Sequence, residues 1–512
     1  MSIILIMLVA FCAITVVIGF ISSKKNDSVA GFVLGGRSIG PWLTAFAYGT
    51  SYFSAVMFVG YAGQFGWKFG IASTWIGLGT AFIGSTMAWV ILARRTRLMT
   101  RRLNSATTPD FFGSRFNSKN LKLAASAITF VFLIPYTASL YNGLSRLFAM
   151  AFNVDFTVAI VVMAVITGIY VIAGGYKATV MNDLVQGVIM IAGTIAIIAA
   201  VLRVNGGFMN SLAALSQVTD DTVSTNPGAF ASFFGPNPVD LLGVTLLTSL
   251  GTWGLPQMVQ KFYSIKSEKN IITGTVVSTV FAIIISGGSF FIGGFGRLWN
   301  VDIAAQGYDA VMPTMLSGFS PVMLGVVITL VFAASISTLS SLVMTSSSTL
   351  TLDFLKDRFV KNMDEKRQLR YIRAFIAAFV VLSSGIAIFQ HKSMVTFIAQ
   401  MMGISWGALA GAFLAPFLYS LYWKRTTKYA VAANYIFAVG IMLLNVFTKS
   451  VFPTVLKSPI NLGAFTMLAG LIIVPLVSLV TKKPDADLVS HCFGVLDEIA
   501  PAPKKEYLED AS

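Results

Sequence analysis

Charge is what this chain has least of: Asp, Glu, Lys and Arg make up 11% of its 512 residues, where a soluble domain carries about a quarter. Cysteine is nearly absent too. Cys12 and Cys492 are the two present, so no disulfide framework is implied. Histidine occurs only at His391 and His491, each in an expected loop or tail, which leaves little for a metal or acid–base centre. No HExxH, GxSxG or GxxxxGK[ST] pattern occurs. Those absences argue against a zinc hydrolase, a serine hydrolase and an ATP-driven pump within this chain.

What fills the space is apolar. Hydrophobic residues are 56% of the chain and mean hydropathy is +0.78. Apolar runs of about twenty residues recur, the mark of an all-α polytopic membrane protein. They lie at about 2–22, 40–65, 70–93, 121–152, 155–173, 179–203, 236–262, 271–297, 319–354, 370–390, 394–422, 427–447 and 460–481, about thirteen transmembrane helices in all. The first lacks a basic leader and a small-residue cleavage site, so it reads as a helix and not a removed signal peptide. The net charge of +15 comes from short basic clusters between runs, such as "ARRTRLMTRR" and "WKRTTK". That pattern reads as topology, not as a nucleic-acid face. With Lys24 and Lys25 inside, the N-terminus is expected outside. Arg94–Arg102, Lys177, Lys261–Lys269, Lys356–Arg370 and Lys424–Lys428 then all fall on the cytoplasmic side, as does the tail from 482 to 512. The tail is charged and contains proline, and reads as a loose end rather than a module.

Polar residues inside such runs carry function by default. "GPWLTAFAYGTSYFSAVMFVGYAGQFGW" places Gly49, Thr50, Ser51 and Ser54 in mid-span. Such a run either breaks the helix, freeing backbone carbonyls for a cation, or packs closely through small residues. "SISTLSSLVMTSSSTLTLD" carries hydroxyls deep into another run. At about 100° per residue, with Ser337 at zero, Ala334 falls at about 60°, Thr338 at about 100°, Ser340 at about −60° and Ser341 at about 40°. They share one face, which Thr345 and Ser348 extend. Neutral hydroxyls and carbonyls suit a hard monovalent cation held weakly enough to be released. The alternative is that each hydroxyl bonds back to its own helix. In "GGYKATVMNDLVQG", Asp183 is either an interfacial carboxylate or a cation ligand facing the bundle.

Taken together, these segments resemble the sodium/solute symporter family, the relatives of the proline, pantothenate, sialic acid and sodium/glucose transporters. The likeness runs from "FVLGGRSIGPWLTAFAYGTS" through "GGYKATVMNDLVQG" and "STLSSLVMTSSS" to "LYWKR". It implies an inverted repeat of five plus five helices with a broken first core helix. The boundaries would be an extra helix and loop at 1–39, repeats at 40–203 and 236–422 flanking an extracellular loop at 204–235, and two further helices at 423–481. The resemblance assigns a first sodium to carbonyls of Thr50, Phe53 and Ala334 and hydroxyls of Ser337 and Thr338. A second sodium, which some members bind, would match Asp183, Ser340 and Ser341. Two sodium ions per cycle are therefore expected, and no cofactor beyond these coupling ions.

The solute is read from departures. Tyr52 stands where proline members carry aspartate, Thr248 where they carry tryptophan, Tyr136 where sialic acid members carry arginine, and Met57 where sugar members carry glutamine. "TSYFSA" is closest to the pantothenate-like pattern. The expected pocket is Tyr52, Ser54, Tyr136, Thr248 and Trp253, aromatic faces and hydroxyls without a fixed cation; the expected solute is a small carboxylate or amino acid, its carboxylate held by freed backbone N–H groups or by sodium. The reading is thus a sodium-coupled importer in the cell membrane, acting as a monomer among lipids and binding no nucleic acid. Alternatives are a proton-coupled symporter with Asp183 as carrier, a sodium/sugar symporter, and a membrane sensor that does not transport.

Overall fold

The computed structural model describes residues 2–23, 28–152, 154–360, 363–393 and 398–498. Lys24 and Lys25 and the tail beyond residue 498 lie outside them. Among the described residues the chain is helical without strands, with isolated bridges at Ile39–Ile265 and Asp220–Ser224. Nine of the described helical stretches are long and apolar enough to cross a membrane, with shorter apolar helices at Ile3–Gly19 and Phe156–Ile169.

The two longest helical stretches far exceed any bilayer. Phe156–Val204 has 49 residues, about 74 Å if straight, against a hydrocarbon core of about 30 Å. It divides into two helices at a kink at Gly175, whose φ of 58° and ψ of −168° are open to glycine alone. A Cβ there would also meet the Phe32 ring at 2.8 Å. The expected spans at 155–173 and 179–203 are thus joined without an intervening loop. Val56–Arg102 bends likewise at Gly70 (φ 61°, ψ −142°), where a Cβ would sit 2.0 Å from the Phe230 carbonyl oxygen.

Two helices are broken. The first runs from Pro41 to Thr50 and resumes at Val56, which decides for the break that the Gly49–Ser54 stretch left open. The second runs from Pro238 to Gly254 and resumes as Pro256–Tyr263. Pro256 has no N–H and forces Leu255 into extended backbone, with φ −77° and ψ 120°. A single span over 236–262 was the expectation; the break corrects it.

Burial places the centre. The apolar windows of Pro321–Leu355 and Ile398–Tyr422 are 78% and 89% buried, against 39% for Lys428–Phe447 and for Pro459–Val480. The hydroxyl-rich helix therefore runs through the middle of the bundle, while the last two long helices lie at its periphery. The tail departs from expectation as well. Ala486–Glu498 is a helix, and it buries Cys492 and Phe493, with the Arg115 guanidinium 5.0 Å from the Phe493 ring centre. His491 lies on this helix and His391 within Glu365–Ser393, so neither sits in a loop.

Candidate functional site

The hydroxyl helix meets the first broken helix at its gap. Thr338 Oγ1 lies 3.0 Å from the Thr50 carbonyl oxygen, 3.0 Å from that of Phe53 and 3.1 Å from that of Ala334. One hydroxyl has one hydrogen, so it can satisfy one of those three acceptors. Ser337 Oγ lies 2.7 Å from Thr50 Oγ1. Every one of these residues is buried. The result is a cluster rich in neutral oxygen acceptors and short of donors, the composition that favours a desolvated cation. Among the described residues no three His, Cys, Asp or Glu side chains gather as a transition metal would require.

One turn further along, the chemistry changes. Asp183 is fully buried and faces the bundle, accepting a hydrogen bond from Ser337 Oγ at 2.5 Å. It is therefore not an interfacial carboxylate. Its other oxygen lies 4.0 Å from Lys261 Nζ. Lys261 had been placed in a cytoplasmic loop; it sits instead on the half-helix Pro256–Tyr263, 2% exposed. Its ammonium donates to Ser341 Oγ at 3.0 Å, and Ser341 Oγ is 2.9 Å from Ser51 Oγ. Opposite unit charges about 4 Å apart attract by about 4 kcal/mol at an effective dielectric near 20, and desolvation offsets much of that.

The hydroxyl stripe thus divides. Ser337, Thr338, Ser341 and Thr345 reach other helices, the last through Gln260 at 3.2 Å. Ser340 and Ser348 bond back to their own helix, through Ser337 O and Met344 O. Ser335, outside the expected face, accepts from the Ala55 N–H at 3.1 Å and so caps the resumed half-helix.

Of the expected pocket residues, Tyr52 and Tyr136 are fully buried and their hydroxyls make no hydrogen bond of normal geometry. Ser54 and Trp406 are the polar neighbours of the Tyr136 hydroxyl. Ser54 Oγ accepts from the Val56 N–H at 3.2 Å. Trp406, which the sequence did not single out, packs edge-on to Tyr136 with ring centres 5.9 Å apart, and its indole N–H is unpaired. Buried unpaired polar groups of this kind mark a place where water or a ligand belongs. Thr248 instead turns its hydroxyl to Val244 O, and Trp253 its indole N–H to Ile83 O.

Polar contacts tie neighbouring helices together towards both ends of the bundle. On the side of the basic cluster, Arg97 donates to Ile265 O and Lys266 O, and Thr107 to Asp353 at 2.5 Å. On the opposite side Tyr61 donates to Ala399 O at 3.2 Å, and Arg297 donates to Trp67 O at 2.6 Å and to Asp220 at 2.7 Å. There, a cavity of about 330 Å³ is lined by Gln64, Lys68, Asp240, Gln400, Lys449 and Lys457 among others.

Comparison with known proteins bears on the family and the fold. The family model for the sodium:solute symporter family matches residues 32–438. The osmoregulated proline transporter OpuE of Bacillus subtilis (strain 168) is 27% identical over 489 residues, covering 94% of this chain and 95% of the relative. A sodium/proline symporter of Staphylococcus aureus (strain JH9) is 29% identical over 499 residues, covering 94% and 93%. Among solved structures, a Na+-coupled sialic acid symporter in a substrate-bound outward-open state superposes with a TM-score of 0.76. It shares 17% identity over 94% of this chain and 99% of that one, a likeness of fold.

Proposed function

The chain belongs to the sodium:solute symporter family, and from that premise we propose that it imports a small organic solute, a carboxylate or amino acid, driven by sodium through alternating access. The carrying observation is the oxygen cluster at the first helix break: the carbonyl oxygens of Thr50, Phe53 and Ala334 surround Thr338 Oγ1, and Ser337 Oγ on the same helix reaches the Thr50 hydroxyl. A sodium ion entering there bridges the broken helix to the hydroxyl helix. It favours the arrangement that also binds solute, and the linkage is reciprocal. Each charge carried inward contributes about 2.3 kcal/mol per 100 mV of membrane potential. The number of ions per cycle turns on Asp183, Ser340, Ser341 and Lys261.

The solute would sit among Tyr52, Ser54, Tyr136 and Trp406, with Thr248 and Trp253 contributing carbon surface. The outer cavity supports an anionic or zwitterionic cargo, since Lys68, Lys449 and Lys457 outnumber Asp240 on its wall. The names of the relatives make proline the first amino acid to test, although Tyr52 replaces the acidic residue of proline members. The two broken helices would head two inverted repeats at about 40–203 and 236–422. The cytoplasmic face would be the one carrying Arg94–Arg102, with the N-terminus outside, and one chain would form the transport unit.

The test is uptake into proteoliposomes under an inward sodium gradient, compared with an equal potassium gradient. Labelled proline, pantothenate, short monocarboxylates, sialic acid and galactose form the panel. Sodium-dependent uptake of one solute that Ser337→Ala abolishes supports the proposal. Uptake indifferent to sodium but driven by a pH gradient removes it and makes the protein a proton symporter.

A further inference from the structure

Proline 256 breaks its helix and thereby carries a lysine into the protein centre. Lys261 Nζ donates to Ser341 Oγ at 3.0 Å, faces Asp183 Oδ2 at 4.0 Å, and lies 5.1 Å from the centre of the Tyr176 ring. Asp183 and Ser341 are two of the three side chains that a second sodium would need. The third, Ser340, spends its hydroxyl on Ser337 O at 2.8 Å. An ammonium thus stands where the second ion would stand, on that ion's own oxygens.

Space and charge point the same way. The cavity beside Nζ, lined by Tyr176, Gln257, Gln260, Lys261, Ser341 and Thr345 among others, has a volume of about 10 Å³, at the lower edge of what one water requires. The ammonium already takes the Ser341 hydroxyl and faces the Asp183 carboxylate, the oxygens a sodium ion would use. Among the described residues Asp183 is the one carboxylate within 4.0 Å of Lys261. A second mobile cation would leave two positive charges on one buried carboxylate, with a third at the neighbouring oxygen cluster.

We propose that Lys261 is a tethered cation occupying the place of the second coupling ion, so that the protein moves one sodium ion per cycle where the sequence alone led to two. The inference rests on the sodium reading of the first site. Lys261 completes the charge around Asp183 in every cycle without leaving. Asp183 in turn holds the Ser337 hydroxyl against the first site.

The experiment is equilibrium binding of radioactive sodium to the purified full-length protein in lipid nanodiscs, reading ions per chain and Hill coefficient. The native protein should bind one ion with a Hill coefficient of one. Lys261→Gln, which frees Ser341 and Asp183, should bind two ions with a Hill coefficient above one, and Lys261→Arg should remain at one. Two ions on the native protein, or a folded Lys261→Gln that still binds one, would overturn the proposal. Should Lys261→Gln fail to fold, Asp183→Asn decides: the count stays at one if the lysine holds the second place, and falls from two to one if an ion does. Thr338→Ala separates this inference from its premise. Native-like sodium binding in that variant overturns the first-site reading, while a rise from one ion to two in Lys261→Gln would still carry the lysine.

Discussion

Two oxygen clusters lie on successive turns of the same buried helix, and they treat charge in opposite ways. Around Thr338 the grouped atoms are carbonyls and hydroxyls, and the nearest charge, Asp183, meets them through the Ser337 hydroxyl and is already matched by Lys261. Around Ser341 there are a carboxylate and an ammonium, both fully enclosed. A neutral cluster can take up and release an ion, because the vacant state leaves no net charge stranded in a low-dielectric interior. A charged cluster cannot afford vacancy, so it carries its counter-charge on a side chain. The difference teaches that the density of hydroxyls on a membrane helix does not count mobile ions. What surrounds each hydroxyl does.

The strongest way to break the comparison is to strand one charge. Asp183→Asn leaves Lys261 buried without its partner, a loss expected to cost about 3–5 kcal/mol of stability. Thermal unfolding in nanodiscs reads it. Adding Lys261→Gln to the same chain should recover most of the loss, because two neutral groups replace a broken pair. Equal destabilisation in single and double variants would mean the two residues do not act as a pair.

The neutral cluster should respond in affinity rather than in stability. Thr338→Ala removes one oxygen from a five-oxygen set, worth about 1.5–3 kcal/mol for a bond to a charged group. That corresponds to a sodium half-saturation raised about 10- to 100-fold. Sodium titration of uptake or of intrinsic fluorescence measures it, and a melting temperature close to native in sodium-free buffer shows the fold intact.

How far the sequence reached follows from what each signal can see. The hydroxyl face was legible because helical periodicity is a local property, and Thr338 and Ser337 fell where 100° steps put them. Ser335 was missed because its partner, the Ala55 N–H, exists only once the first helix breaks. The first break was one of two readings that Gly49 and its hydroxyl neighbours allowed, because small residues also serve close helix packing. The second break hid in "GTWGLPQ", where an apolar window averages over the Gly–Leu–Pro that ends the helix. Lys261 was then misplaced, since positive-inside counting treats every lysine near a span end as a loop marker. Trp406 carried no signal, because an aromatic in an apolar run looks like core. The Ala486–Glu498 helix was overlooked because its charged flanks masked the few residues it buries.

A smaller effect sharpens the solute side of the comparison. Tyr136→Phe removes a buried hydroxyl that has no hydrogen-bond partner of normal geometry. If that hydroxyl only fills the core, removal is neutral or slightly stabilising. If it meets the solute, the KM for uptake rises about 3- to 10-fold, as for one hydrogen bond, with sodium affinity measured without solute unchanged. Tyr52→Phe is read in the same way.

The smallest effect concerns an ion pair outside the membrane core, against which the buried pair can be measured. Partial burial opposes the Asp220 carboxylate. The Thr222 hydroxyl and amide and the Arg297 guanidinium at 2.7 Å outweigh that and hold its pKa below the usual carboxylate range. A depressed carboxylate contributes stability that is fully present above its unfolded pKa of about 3.9 and is lost as pH falls towards the folded value. Arg297 also donates to Trp67 O at the outer end of the first broken helix, so protonation loosens the 204–235 loop from that helix. Hydrogen exchange across 204–235 should therefore be unchanged from pH 7 down to about 5 and, once corrected for intrinsic rates, rise a few-fold below about 4. Asp220→Asn should show the faster exchange at every pH. Because Asp220 is 20% exposed and Arg297 keeps its bond to Trp67 O and its place on the Trp67 and Phe230 rings, the loss should stay confined to the loop and leave sodium binding as it was. Loss of the Asp183–Lys261 pair has no solvent to fall back on, and it should be felt by the whole bundle.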